Sequence, residues 1–132
     1  MQRIEAAERR ARLARRHRLA PDQRAATVVE ATESMVCLHA TDPATVYLSA
    51  WARTEGMEIA DMDRALYEDR TLVKHLAMRR TLFVFPRATL PAAQAGASNR
   101  VADAERRRLA REVERAGVKK DGERWLREAS EQ

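Results

Sequence analysis

The side chains best suited to chemistry lie close together in the chain, at His39, Thr41 and Asp42. A histidine imidazole can take a proton from water near neutral pH, and a threonine hydroxyl can hold that water in place. A nearby carboxylate adds negative charge, which stabilises a cation that develops during reaction. The three residue types are together able to support hydrolysis by a positioned water.

A structural interpretation of the same residues stays open beside the catalytic one. Asp42 is followed by Pro43, and an aspartate before a proline is typical of a helix start, because the carboxylate caps free N–H groups while proline tolerates the first helical position. In that interpretation Thr41 belongs to the same turn, and His39 is a partly buried polar residue.

Positive charge is concentrated at the start of the chain. The net charge is +5, and residues 1–24 hold eight arginines against three acids, whereas the remaining residues hold 17 of each sign. Arginine binds phosphate oxygens through two N–H groups and releases condensed counterions, so this segment predicts contact with double-stranded DNA. The candidates are Arg9, Arg12, Arg15 and Arg16. A solvated helix face explains the same charges.

Other kinds of site have little support. Cys37 and His39 offer two metal ligands, but His17 and His75 lie on other predicted elements, so no tetrahedral metal site is expected. No glycine-rich phosphate loop or nucleophile elbow occurs, and no cofactor is expected. With one cysteine, no signal segment and no long apolar run, the chain is expected to be cytoplasmic and without a membrane anchor.

The elements that must position these residues are mostly helical, because apolar residues make up 45% of the chain but aromatic residues only 5%, and glycine and proline are few. Apolar periodicity and end signals predict six helices and one hairpin. The helices cover residues 4–18, 23–38, 43–54, 59–67, 90–117 and 123–130, and the hairpin strands cover 72–78 and 81–85.

This order of elements predicts a mainly α fold with one small β-hairpin, of the winged-helix type, a variant of the helix-turn-helix. The winged-helix domain is expected over residues 1–88 and a helical extension over 89–132. Arg79 and Arg80 lie at the predicted hairpin tip, where they face phosphate or water. Tyr47 and Trp51, at i and i+4 of one helix, are expected to be a core pair rather than a base-stacking pair.

Two stretches carry a resemblance to a known family. Residues 38–43 (LHATDP) with 47–53 (YLSAWAR), and residues 72–82 (LVKHLAMRRTL), resemble the bacterial winged-helix family of AlkZ-like DNA glycosylases. The similarity covers about residues 10–86 well and the rest loosely. Arg53, the last residue of the 47–53 segment, joins the candidate DNA-binding residues.

The resemblance implies a DNA-repair fold of tandem winged helices that excises alkylated or crosslinked purines by hydrolysing the N-glycosidic bond. In that family a Gln-x-Gln or Gln-x-Asp motif just before Asp-Pro positions the catalytic water, whereas this chain has His39 and Thr41 there. Arg80 replaces the usual glycine of the hairpin turn. Family members are longer, so the chain is expected to correspond to their first winged-helix unit.

Three functions follow as hypotheses. The chain is a DNA-repair enzyme or enzyme module, with His39, Thr41 and Asp42 as catalytic residues, or it is a non-catalytic winged-helix DNA binder, such as a regulator or an inactive paralogue. As a third hypothesis, Trp125 and Leu126, two apolar residues of the last predicted helix, pack against a downstream domain or a second copy.

Overall fold

A computed structural model describes residues 4–131 of the chain. It is mainly helical, with one small antiparallel sheet, and is consistent with the predicted winged-helix-like fold. The helices are α1 (Ala6–Arg16), α2 (Val28–Ser34), α3 (Pro43–Trp51), α4 (Ile59–Asp63), α5 (Leu90–Ala93), α6 (Asn99–Arg115) and α7 (Gly122–Ser130). The strands are β1 (Leu38–His39), β2 (Leu72–Leu76) and β3 (Leu82–Pro86).

Helix α2 is shorter than the sequence predicts, at both ends. The Thr27 hydroxyl accepts a hydrogen bond from the Glu30 amide at 3.1 Å, so the helix begins at Val28. Val36 takes a left-handed backbone (φ 68°), which ends the helix and turns the chain into β1. The expectation of one helix over 23–38 was therefore wrong.

Because the chain leaves α2 early, the sheet has three strands rather than the two of the predicted hairpin. The strand order is β1-β3-β2, all antiparallel. The hairpin of β2 and β3 is as predicted, and β1 adds to the free edge of β3, where Leu38 lies opposite Val84. The short strand places His39 on a sheet rather than at the end of a helix.

The hairpin connection uses left-handed backbone at two successive arginines, Arg79 (φ 56°) and Arg80 (φ 59°). A left-handed conformation costs about 1 kcal/mol for a residue other than glycine. Arginine in place of the glycine that the family places here therefore costs conformational energy without removing the turn.

Helix α3 begins where the sequence predicts. The Asp42 carboxylate accepts a hydrogen bond from the Ala44 amide at 3.0 Å, with Pro43 in the first helical position. The helix buries Val46 and Ala50 against the sheet and the neighbouring helices, in a core that includes Leu38, Met62, Leu72 and Val84. Helix α4 continues into one turn of π-helix, Arg64–Glu68.

The chain divides into two compact units. The first comprises Met1–Leu76 and Thr81–Pro91, and the second comprises Ala77–Arg80 and Ala92–Gln132. In the second unit α6 and α7 pack closely, since a Cβ atom at Gly122 would overlap the carbonyl oxygen of Ala110. Within residues 4–131, no helix has the combined length and apolarity needed to span a bilayer.

Candidate functional site

The structure brings together His39 and Thr41, two of the three predicted catalytic residues. His39 Nε2 lies 3.3 Å from Thr41 Oγ1, and both side chains are exposed. The contact is a long hydrogen bond, and the Thr41 hydroxyl keeps a further lone pair that can accept from a water. We name His39, Thr41 and Asp42 the polar corner, which lies between β1 and α3.

A residue that the sequence analysis missed, Phe83, contacts the His39 ring. The two residues are opposite each other across β1 and β3, and their rings meet edge to face with centroids 5.3 Å apart. On the other side of Phe83 lies His75, in register on β2. One row across the sheet therefore carries His39, Phe83 and His75.

His75 has no assigned role in the sequence analysis beyond its exclusion as a metal ligand. Its Nε2 atom is buried and has no hydrogen-bond partner among the residues that the structure describes. Because side chains alternate between the two faces of a strand, the sequence indicated that His75 and Leu72 lie on opposite faces of β2. It did not indicate that β1 pairs with β3, which places His39 in the same row as His75.

Asp42 has two possible roles, and the structure shows one of them. Its Oδ1 atom caps α3 by accepting from the Ala44 amide. The side chain is exposed, and the capping bond uses one carboxylate oxygen. The second oxygen leaves negative charge at the polar corner, next to the His39 and Thr41 pair in sequence.

The arginines of α1 form an exposed stripe. Arg9, Arg12 and Arg16 recur at i, i+3 and i+7, and Arg15 lies beside them on the same side of the helix. Arg12 pairs with Glu8 at 2.7 Å, whereas the other three have no ion pair with any residue from 4 to 131. We name these four residues the α1 arginine stripe.

The remaining predicted DNA-binding arginines differ in whether their guanidinium groups already bind other residues of the chain. Arg53 is half-buried and donates from Nη1 to the Ser49 carbonyl at 2.8 Å, and burial lowers the pKa of its guanidinium. Arg80 pairs with Glu105 at 2.8 Å within the second unit. Arg79 is exposed and has no ion pair within the described part of the chain.

The aromatic pair of α3 is not a core pair, contrary to prediction. Trp51 is 58% exposed, whereas Tyr47 is half-buried and donates its hydroxyl to Asp63 Oδ1 at 2.6 Å. That hydrogen bond, together with burial and the Asp63 charge, raises the pKa of Tyr47. Trp51 opens onto an apolar groove between α3 and α4. By contrast, Trp125 and Leu126 are both half-buried on α7.

No group of three or more histidine, cysteine or acidic residues suited to a metal ion occurs within residues 4–131. Cys37 is half-buried, and burial raises the pKa of its thiol, which keeps it protonated and weakens it as a ligand or nucleophile. The chemistry available at the polar corner is therefore that of an imidazole, a hydroxyl and a carboxylate.

Comparison with known proteins places this corner within a family. A family model described as "DNA glycosylase AlkZ-like" matches residues 32–132, which include His39, Thr41 and Asp42 but not α1. The match begins later than the resemblance seen in the residues and continues through the C-terminal helices. No curated protein and no solved structure matches the chain. Because the match covers most of its length, the chain belongs to the AlkZ-like family of DNA glycosylases.

Proposed function

We propose that this chain binds double-stranded DNA through the α1 arginine stripe and hydrolyses the N-glycosidic bond of alkylated purines at the polar corner. Membership in a family of DNA glycosylases relates the chain to DNA repair and makes DNA the molecule that it binds. The observation that carries the proposal is the pairing of His39 with Thr41 at 3.3 Å, exposed and inside the family match.

The proposed reaction needs little from the protein. Alkylation at N7 gives the purine a positive charge, so the bond between C1′ and N9 breaks with its electron pair moving to the base, which leaves as a neutral alkylpurine. The water held by Thr41 bonds through its oxygen to C1′, and His39 Nε2, once its long contact with Thr41 opens, takes the water's proton. The uncapped oxygen of Asp42 stabilises the positive charge that develops on the sugar.

Binding must also turn the purine out of the base stack before water can reach C1′. The α1 arginine stripe supports phosphate contact, because its guanidinium groups are exposed and three of them are not held by acids of the described chain. Arg79 is a further proposed contact. Arg53 and Arg80 contribute less, since both already hold internal partners.

The test is release of free N7-methylguanine from methylated duplex DNA, with binding to the same duplex measured in parallel. We expect His39→Ala and Thr41→Ala each to slow release about 100-fold, the usual effect of losing a general base or its partner. Binding should be unchanged, because neither residue belongs to the arginine stripe.

His75→Ala is the matched control, since His75 lies in the same row of the sheet on the far side of Phe83. If His39→Ala and His75→Ala slow the release of N7-methylguanine equally, the substitutions disturb the sheet rather than remove a general base. Binding without release by the unmodified chain contradicts the enzymatic proposal. It favours the second candidate, a non-catalytic DNA binder, which the exposed arginine stripe is sufficient to support.

A further inference from the structure

An uncovered apolar groove of the first unit lies between α3 and α4. Three of its side chains are strongly exposed: Leu48 by 65%, Trp51 by 58% and Ile59 by 70%. The groove has a volume of about 630 Å³, and its lining is completed by Tyr47, Met57, Glu58 and Ala60. An exposed cluster of this kind, with tryptophan at its centre, is typical of a protein interaction site. We name it the α3–α4 groove.

The charge at the groove disfavours DNA as its occupant. Of the residues that line it, Glu58 is acidic and none is basic. A second acid, Asp63, accepts a hydrogen bond from the lining Tyr47. This surface repels phosphate and attracts a cationic partner that also carries an apolar face.

The chain itself contains a helix with those properties. Helix α1 has no buried residue, and its Leu13 is 43% exposed. Ala7, Ala11 and Ala14 recur at i, i+4 and i+7 and form a smooth face that allows close approach of a partner. This alanine face points away from the α1 arginine stripe, so one helix can contact protein and DNA at the same time.

Arg10 is the arginine that belongs to the alanine face rather than to the stripe. It is three residues from Ala7 and four from Ala14, and its Nε atom has only a long 3.4 Å contact with the Ala6 carbonyl. A cation at this position, next to small residues, is suited to pair with Glu58 in the groove.

We propose that the α3–α4 groove of one copy of this chain receives helix α1 of a second copy, with the alanine face against Trp51 and Arg10 opposite Glu58. A two-fold axis makes the contact twice, which doubles the area buried by one short helix. The proposal concerns assembly and does not depend on hydrolysis at the polar corner.

Sedimentation of the whole chain over a range of concentrations tests the proposal. We expect a dimer of twice the 15.0 kDa chain mass. Trp51→Ser should weaken the dimer at least about 30-fold, the effect of removing a central hot-spot residue. Tyr67→Ser is the control, because Tyr67 is 69% exposed in the same unit but does not line the groove.

Charge exchange then identifies the two partners. Arg10→Glu and Glu58→Arg should each be monomeric alone, because each puts like charges together at both contacts. A mixture of the two variants should form a dimer with an affinity within about threefold of the original. In this mixed dimer one contact keeps Arg10 opposite Glu58, and the other joins the two substituted residues, which also have opposite charges.

Three results overturn the proposal. A chain that stays monomeric at every concentration has no such interface. A dimer that survives Trp51→Ser but is lost in Leu126→Ser uses α7 instead. If the original chain is a compact monomer whose hydrodynamic size grows in Arg10→Glu and returns in the double variant Arg10→Glu/Glu58→Arg, α1 binds the groove of its own chain.

Discussion

The two ends of helix α3 show how one short element serves two different surfaces. At its start the chain is polar and each group has a partner: Asp42 caps the helix, and His39 contacts both Thr41 and Phe83. At its end Trp51 and Leu48 are exposed and apolar, in a groove that Glu58 also lines. The polar end is suited to hold water and a reacting sugar, whereas the apolar end is suited to exclude water with a protein partner. A single helix with a buried centre keeps the two surfaces apart.

The buried centre of α3 gives the largest expected effect. Val46 is 3% exposed and packs in the main core, so Val46→Ala removes two methyl groups and leaves a cavity. We expect a loss of about 2 kcal/mol in the free energy of unfolding, measured by urea denaturation. Base release and dimerisation should then fall together as the temperature rises. Loss at one end only would show that the ends do not share this core.

A smaller loss in the free energy of unfolding is expected from a substitution at the apolar end of α3. Tyr47→Phe removes the hydrogen bond to Asp63, which joins α3 to the end of α4, and should cost about 1.5 kcal/mol because the acceptor is charged. The pKa of Tyr47 is raised in the folded chain above the ordinary value of 10.0. The stabilisation is therefore complete below pH 10 and declines as the pH rises beyond it.

Denaturation curves at several pH values test whether the stabilisation by Tyr47 declines at high pH. The difference between Tyr47→Phe and the original chain should be constant from pH 7 to about 9 and should narrow above pH 10. Asp63→Asn is the control background, because it removes the charge but keeps an acceptor oxygen, and Tyr47→Phe should cost less there. A difference that widens at high pH would contradict the assigned hydrogen bond.

The smallest change separates the two roles of Asp42 at the polar end. Asp42→Ala should destabilise the chain by about 1 kcal/mol through loss of the helix cap, whereas Asp42→Asn should leave stability nearly unchanged, since asparagine caps as well as aspartate. If the carboxylate also stabilises the sugar cation, Asp42→Asn should slow base release while the protein stays stable. If Asp42→Asn releases the purine at the original rate, Asp42 acts only as a helix cap.

Local signals explain the part of the fold that the sequence predicted. Asp42 and Pro43 located the start of α3, runs of β-branched, aromatic and aliphatic residues located the hairpin, and the family motif located the polar corner. Each of these signals depends on neighbours within a few residues. The arginine stripe is of the same kind, because helical spacing alone puts Arg9, Arg12 and Arg16 on one face.

Contacts between distant segments decided the rest. Val36 takes a left-handed backbone that valine disfavours, and the chain accepts it because Leu38 and His39 then pair with β3. Only that pairing brings Phe83 against the His39 ring. The exposure of Trp51 has the same origin: its spacing from Tyr47 predicted a core pair, but which side of a helix is covered depends on the elements packed against it. Sequence by itself determined most of the helices, the hairpin and the family. Tertiary structure alone decided the ends of α2, the third strand, the orientation of His39 and the open groove, because these depend on pairings between residues far apart in the chain.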